Sequence, residues 1–280
     1  MQKIKLLILL LLFTPALLCK KPIITIAILA KDKGHVLPIY LQCIENQTWP
    51  KEQTNLYIRT NNNNDNTIEV LKDWLKKVYK NYNKIFVDDS DVQENVQKYG
   101  QHEWNSIRFK VLGEIRQKSI EWAYQNNSHY FVCDCDNFIT PETLEALYSV
   151  QLPIVAPLLH SNDTYSNYHA DIDPNGYYKR SPYYFPLLHR EIKGLIELPV
   201  VHCSYFIRKD ILPAISYNDN SQRHEYVIFS DNARKKNIPQ YLDTRTIYGR
   251  LTFAETYNEL MQEPWIGEFI HTPNTFDTAE

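Results

Sequence analysis

Residues 23–30 read Ile-Ile-Thr-Ile-Ala-Ile-Leu-Ala, an apolar run broken only by the hydroxyl of Thr25. A run this rich in β-branched residues, with no polar alternation, has no face to spare for water. It reads as a strand buried on both sides, the kind found in parallel sheets covered by helices. Parallel neighbours cannot be joined by tight hairpins, so the connections must cross over, usually as helices. The following residues supply that alternation. A helix is expected over 35–45, with Leu37, Tyr40, Leu41 and Ile44 on one stripe. A second strand is expected over 56–58, then a helix carrying Ile68, Leu71, Trp74, Leu75 and Val78, which Asn66 or Thr67 can cap. A third strand covers 84–87, a polar loop 88–102, and a long helix 106–124 with Phe109, Leu112, Ile115 and Trp122 turned inward. The fourth strand is the short run Tyr130-Phe-Val132, and Pro141 opens the helix after it, where a missing N–H costs nothing. Strand and helix thus alternate four times. The expected class is α/β, a Rossmann-type, mostly parallel sheet flanked by helices, and 280 residues suit a single domain with a leader.

In such a sheet, ligands gather outside the carboxyl ends of the strands. Three polar or small segments fall there: Ala30, the loop 60–65, and the tripeptide Asp134-Cys135-Asp136. Strand alternation sends Asp134 and Asp136 to one face at the exit of the fourth strand. Two carboxylates so placed suit a hard divalent cation carrying phosphate oxygens. The alternative is a pair of solvated turn acids. Lys33-Gly34-His35 makes no phosphate-binding glycine loop, and neither a dinucleotide fingerprint nor a P-loop is present.

The second half reads differently. Another apolar strand covers 154–156, followed by a tyrosine-rich stretch over 162–188, a strand over 199–207, a helix over 226–236 and a closing strand over 240–242. The tyrosines can stack on sugar or peptide, or simply pack as an aromatic loop.

Residues 1–19 have the pattern of a cleaved secretory signal: Lys3 and Lys5, then an apolar stretch over 6–18 interrupted by Pro15 and stopped by Lys20 and Lys21. A short uncleaved anchor is the runner-up, since a span needs about 20 apolar residues. The expected domain is then 20–280, with no membrane span after signal cleavage. Asn46, Asn126 and Asn162 each begin an N-glycosylation triplet, consistent with a secretory lumen. The spacing of Cys43, Cys133, Cys135 and Cys203 is not that of a zinc site, and buried thiols are the expected state. A net charge of −3, with no basic block, argues against a nucleic-acid partner.

Several segments, taken in order, carry a resemblance. They are residues 26–31 with 35–38, Asp65-Asn-Thr67 with Trp74-Leu75, Trp104, 106–109, Arg116-Gln117, Asp134-Cys-Asp-Asn-Phe138 and 154–157. The series continues through Tyr165-Ser-Asn167, 176–180, Val201-His202, Tyr241-Leu242 and Tyr248-Gly249. Together they resemble the procollagen galactosyltransferase family, of the family 25 type, over nearly all of the mature chain. Animal members carry this module first and a second glycosyltransferase-like module after it. The residues here stop after the first, ending in Thr278-Ala-Glu280 without a retention tetrapeptide.

The resemblance implies a GT-A fold, Mn²⁺ as cofactor, a UDP-sugar donor such as UDP-galactose, and a collagen-like polypeptide as acceptor through its hydroxylysine, in the lumen of the endoplasmic reticulum. It implies Asp134 and Asp136 as metal ligands. Ala30, Asp65 and Arg116 are the expected donor-binding residues; Asp65 could instead be a helix cap, and Arg116 a surface ion-pair partner. Glu225 is the expected base for the acceptor hydroxyl, with His202 the alternative. His271 is a remote candidate for the metal. One departure stands out: His224-Glu225 occupies a place where family members show adjacent acids. Relatives without transferase activity make an inactive binding module, or an accessory domain needing a second module, the competing expectations.

Overall fold

The computed structural model describes residues 20–93 and 104–270. The leader, residues 94–102 of the 88–102 loop and His271 lie outside the described residues. In chain order the strands are β1 (Ile24–Ala30), β2 (Thr54–Thr60), β3 (Lys84–Asp88), β4 (His129–Cys133), β5 (Asn137–Ile139), β6 (Ile154–Pro157) and β7 (Leu159–His160). They continue as β8 (Tyr168–His169), β9 (Leu195–Leu198), β10 (Val200–Val201), β11 (Ser204–Ile207), β12 (Gln240–Asp243) and β13 (Gly249–Leu251). The helices are α1 (Leu37–Glu45), α2 (Thr67–Val78), α3 (Ser106–Gln125), α4 (Thr143–Ser149), α5 (Tyr184–Leu188), α6 (Glu225–Lys235) and α7 (Tyr257–Leu260).

An eight-stranded sheet runs in the order β3-β2-β1-β4-β11-β6-β12-β9. The pairs β2–β3, β1–β2, β1–β4 and β6–β12 are parallel, while β11 and β9 run against their neighbours. The sheet is therefore mostly parallel, as the apolar run of β1 requires. Side chains alternate between two cores. Ile24, Ile26, Ile28, Phe131 and Cys133 pack with α1, α2 and α4 on one face. Ala27, Tyr130, Val132, Tyr205 and Ile207 pack with α3, α5 and α6 on the other. A two-stranded sheet (β8, β10) and a three-stranded one (β5, β13, β7) attach at the exit edge of the main sheet.

Two expectations are corrected. The strand expected over 199–207 breaks at His202 and Cys203 into β10 and β11, which join different sheets. The helix α3 spans the expected residues, but its buried positions are Val111, Gly113, Arg116, Ser119, Ile120 and Ala123. Phe109, Leu112, Ile115 and Trp122 are only half-buried. Leu112 and Ile115 face a cleft, and Trp122 packs beside Tyr57 and Phe86. A helix that buries an arginine and a serine while lining a cleft with leucine and isoleucine has no clean apolar stripe to read.

Candidate functional site

The strand order places β1 between β2 and β4, so connections leave β1's two neighbours in opposite directions. This is the switch point where an open α/β sheet leaves a crevice beyond its strand ends. A cleft of about 490 Å³ opens there. Its floor is built from the exits of β1 (Leu29 to Lys33), β2 (Arg59, Asn61, Asn64) and β4 (Asp134 to Asn137). Helix α3 supplies one side through Arg108, Leu112 and Arg116, and Tyr165, Cys203 and Phe253 form the opposite side.

The Asp134–Asn137 segment is a turn, with the Asn137 N–H donating to the Asp134 carbonyl at 2.9 Å. The strand ends at Cys133, so it is the turn, more than strand alternation, that brings both carboxylates to one cleft. Neighbours fix it from several directions. The Asp134 N–H donates to Cys203 O at 3.0 Å, the Thr252 N–H to Asp136 O at 3.0 Å, and Asn137 Nδ2 to Ser204 Oγ at 2.7 Å.

Each carboxylate meets one cation. Arg116 Nη2 donates to Asp134 Oδ1 at 2.7 Å, and Lys33 Nζ to Asp136 Oδ2 at 2.7 Å. Burial, together with the charges of Asp136 and Glu225, pushes the Asp134 carboxyl above its usual range despite the Arg116 ion pair. Burial works against the Lys33 charge, but Asp136 outweighs it and the ammonium is held above its usual range. The remaining oxygens, Asp134 Oδ2 and Asp136 Oδ1, have no hydrogen-bond partner among the described residues.

The donor set fits a hard cation of the Mg²⁺ or Mn²⁺ kind, which takes one or two carboxylates and completes its shell with phosphate oxygens and water. Among the described residues no three His, Cys, Asp or Glu side chains converge as a closed metal cage, so such an ion would need ligand oxygens. The cleft also presents Lys31, Arg59 and Arg108; among the described residues Arg116 Nη1 lacks a hydrogen-bond partner, and Nε makes no hydrogen bond but faces Glu225 Oε1 at 3.4 Å. An anionic ligand suits these surroundings.

The expected site residues separate on this geometry. Ala30, Arg116, Asp134 and Asp136 all line the cleft. Asp65 does not. Its carboxylate accepts the Gly34 N–H at 2.8 Å and the Thr67 N–H at 3.0 Å, which ties the β1 exit loop to the start of α2. The same lacing includes the Asp32 N–H to Asn63 Oδ1 at 2.9 Å and the Lys33 N–H to Thr67 Oγ1 at 2.7 Å. Gly34 belongs to this contact, because a Cβ there would lie 2.0 Å from Asn66 Oδ1. The structural task of the asparagine-rich loop is thus to hold the floor of the cleft in place.

Glu225 and His202 lie behind the cleft wall. Glu225 opens α6, is 4% exposed and contacts Arg116 Nε at 3.4 Å through Oε1. His202 is buried within a ring cluster of Tyr165, His169 and Tyr226, with Nδ1 2.9 Å from Cys203 Sγ. Burial, then the positive fields of His169 and Arg116, pushes its pKa well below the histidine range, so the ring is neutral near pH 7. Neither expected base lines the cleft, because the loop after β10 and the helix α3 intervene.

Lys33, Arg59, Asn61 and Cys203 escape a sequence reading, although the Lys31-Asp-Lys33 triplet at a strand exit is a usable signal for the first. Cys203 carries none. It adopts φ +61, and the Ser204 N–H donates to His202 O across it, a γ-turn of the rare positive-φ form. Of the tyrosine-rich stretch, Tyr165 reaches the cleft, while Tyr168 and Tyr184 stack in the core.

Solved structures share this architecture. S. aureus TarS 1-349 in complex with UDP-GlcNAc superposes with a TM-score of 0.53 at 13% identity, covering 83% of this chain and 59% of that one. This identifies the fold as the GT-A glycosyltransferase type. Human procollagen galactosyltransferase 2 is 31% identical over 262 residues, 90% of this chain and 42% of its own length. Mouse inactive glycosyltransferase 25 family member 3 is 34% identical over 189 residues, 66% of this chain and 32% of its own length. The chain therefore spans less than half the length of these curated relatives. The model of the glycosyltransferase family 25 N-terminal domain matches residues 21–272, and the chain belongs to that family.

Proposed function

We propose that this domain is a UDP-sugar-dependent hexosyltransferase that moves galactose to a hydroxyl of a collagen-like polypeptide. The observation that carries the reading is the Asp134–Asn137 turn at the switch point, with both carboxylates on the cleft and cations across from them. Asp134 and Asp136 would hold a divalent ion, which as Mn²⁺ supplies charge to the departing diphosphate. Lys33, Arg59 and Arg108 add positive charge along the same floor. Asn61 and Asn64, beside Ala30 at the exits of β2 and β1, offer hydrogen bonds to the nucleoside. Tyr165 and Phe253, edge to face at 5.3 Å, present aromatic surface to the sugar and acceptor.

Calorimetry of UDP-galactose, UDP-glucose and UDP, each with and without Mn²⁺, tests the reading. Metal-linked binding with a preference for UDP-galactose is expected, and equal UDP affinity with and without metal would sink it. A secretory setting accompanies this function, with glycan expected at Asn46. That residue is exposed at the end of α1, whereas the Asn126 and Asn162 amides are held by Trp122 O and by Glu263.

The second reading is an inactive binding or accessory module. It is favoured by the 34% identity to an inactive family member and by the absence of Glu225 and His202 from the cleft lining. Donor binding without transfer to collagen-like peptides, also after addition of a second glycosyltransferase module, would select it.

A further inference from the structure

Arg116 and Glu225 are two charged side chains buried to nearly the same degree, 5% and 4% exposed, on the α3 side of the cleft. Arg116 lines the cleft and Glu225 does not, so the guanidinium stands between Glu225 and any bound molecule. One edge of that guanidinium is divided between two carboxylates. Nη2 takes Asp134 Oδ1 at 2.7 Å, and Nε faces Glu225 Oε1 at 3.4 Å. Glu225 itself is placed by the α3–α6 contact, where a Cβ added at Gly113 would come within 3.5 Å of the Glu225 Cβ.

We infer that Glu225 is a positioning residue for Asp134, acting through Arg116. The inference rests on the reading of Asp134 as a ligand of the metal-linked donor. An arginine facing a lone carboxylate closes on it with two parallel hydrogen bonds, engaging both oxygens. Here Glu225 draws Nε away, and the fork spends only Nη2 on Asp134. Asp134 Oδ2 is thereby left without a hydrogen-bond partner among the described residues, on a side chain that lines the cleft, where a divalent ion would need it. The arrangement matches a general pattern: groups that hold a metal ligand from behind set its orientation, and their loss costs about 10- to 100-fold in metal affinity. It also gives a role to a buried carboxylate outside the cleft lining whose Oε2 accepts no hydrogen bond among the described residues and has His224 Nδ1 at 3.6 Å.

The test is calorimetry on the full chain, measuring UDP affinity with and without Mn²⁺ for wild type, Glu225→Gln, Arg116→Lys and Asp134→Asn. Glu225→Gln should lower the Mn²⁺-dependent affinity about 10-fold or more while leaving metal-free UDP affinity unchanged. Arg116→Lys should also lower the Mn²⁺-dependent affinity, since an ammonium is a point charge and cannot be divided between two acceptors in a fixed plane; Arg116 lines the cleft, so Glu225→Gln alone serves for the metal-free comparison. Should Glu225→Gln fail to fold, Glu225→Asp carries the same expectation in weaker form. Unchanged metal dependence in Glu225→Gln and Arg116→Lys, with Asp134→Asn losing it, would overturn the inference and leave the function standing. Equal weakening with and without metal in Glu225→Gln would overturn it too, as the mark of a merely structural role. Metal dependence surviving in Asp134→Asn would instead remove the reading on which the inference rests.

Discussion

The two walls of the cleft have different origins. The floor comes from strand exits: Lys31 to Lys33 after β1, Arg59 to Asn64 after β2 and Asp134 to Asn137 after β4. It is charged and polar, and its parts are neighbours because parallel strands end together. The far wall comes from Tyr165, Cys203 and Leu251 to Phe253, which are distant in sequence and meet through the small sheets. It is aromatic and apolar. The difference teaches that the charged floor is a consequence of topology, whereas the wall opposite depends on long-range pairings that a different chain could arrange otherwise. If this division is functional, substitutions on the floor should act on UDP and metal, and those on the far wall on what comes after.

The largest effect should follow loss of a floor carboxylate. Asp136→Ala should reduce Mn²⁺-linked UDP affinity by about 100-fold, at or beyond the top of the range for groups that only support ligands. Its cost in stability should be small, because its partner Lys33 is partly exposed. Asp134→Ala should match it in binding and differ in stability. It leaves Arg116 buried with only Glu225, and breaking a buried pair costs about 3–5 kcal/mol. Urea unfolding monitored beside calorimetry separates the two. Equal stability loss in both variants would break the picture of one carboxylate paired with a buried arginine and the other with a partly exposed lysine.

Acid should reveal the next effect. Burial, with Lys209 and Arg208 nearby, pushes His129 down to about 4, and burial alone pushes His169 down to about 4. The unfolded chain takes up a proton near pH 6.5, while the folded chain refuses it until about pH 4. The unfolded state therefore binds more protons in that window, and stability is lost as pH falls from 6.5 toward 4. Each ring contributes up to about 3 kcal/mol, at about 1.4 kcal/mol per pH unit. Replacing His129, in β4, and His169, in β8, by glutamine one at a time should flatten the pH profile from different sides of the division. An unchanged profile in both would mean that neither ring is held neutral.

On the far wall, Tyr165→Ala and Phe253→Ala should leave UDP affinity within about 3-fold and weaken acceptor use by about 3- to 10-fold, the scale of an aromatic contact. Steady-state transfer with varied peptide, against calorimetry with UDP, reads the two separately. A loss of UDP affinity equal to that of Asp136→Ala would erase the distinction between the walls.

Sequence legibility follows the same line. The alternation of strand and helix through β4 was readable because each element is built from neighbours in the chain, and the placement of the paired aspartates on the cleft was readable because they sit at a strand exit. The roles behind the wall were not. Glu225 reads as a base when only its chemistry is known, and becomes a buried partner of Arg116 once α6 is packed on α3. Arg116 reads as a donor contact or a surface ion-pair partner, and its burial is not legible, because the leucine and isoleucine that would mark the inner face of α3 line a cleft instead. Asp65 reads equally as a donor-binding residue and as a cap, and the Gly34 and Thr67 N–H groups that its carboxylate accepts are not visible in the sequence.

The smallest effect concerns Cys203, where the two walls meet. Its carbonyl holds the Asp134 N–H, its side chain lines the cleft, and its φ of +61 belongs to the left-handed region. A non-glycine residue in that conformation costs about 1–2 kcal/mol relative to glycine, which has no Cβ to crowd. Cys203→Ala keeps the backbone penalty and removes the thiol, while Cys203→Gly removes both. The glycine variant should therefore be more stable than the alanine variant by about 1 kcal/mol in urea unfolding. An alanine variant as stable as the glycine variant would show that the γ-turn carries no strain in solution. The gain in stability should not extend to binding. A freer backbone at residue 203 loosens the carbonyl that fixes the Asp134 turn, so the glycine variant should bind UDP with Mn²⁺ more weakly than the alanine variant. Strain retained at this position would then serve the floor of the cleft from its far wall.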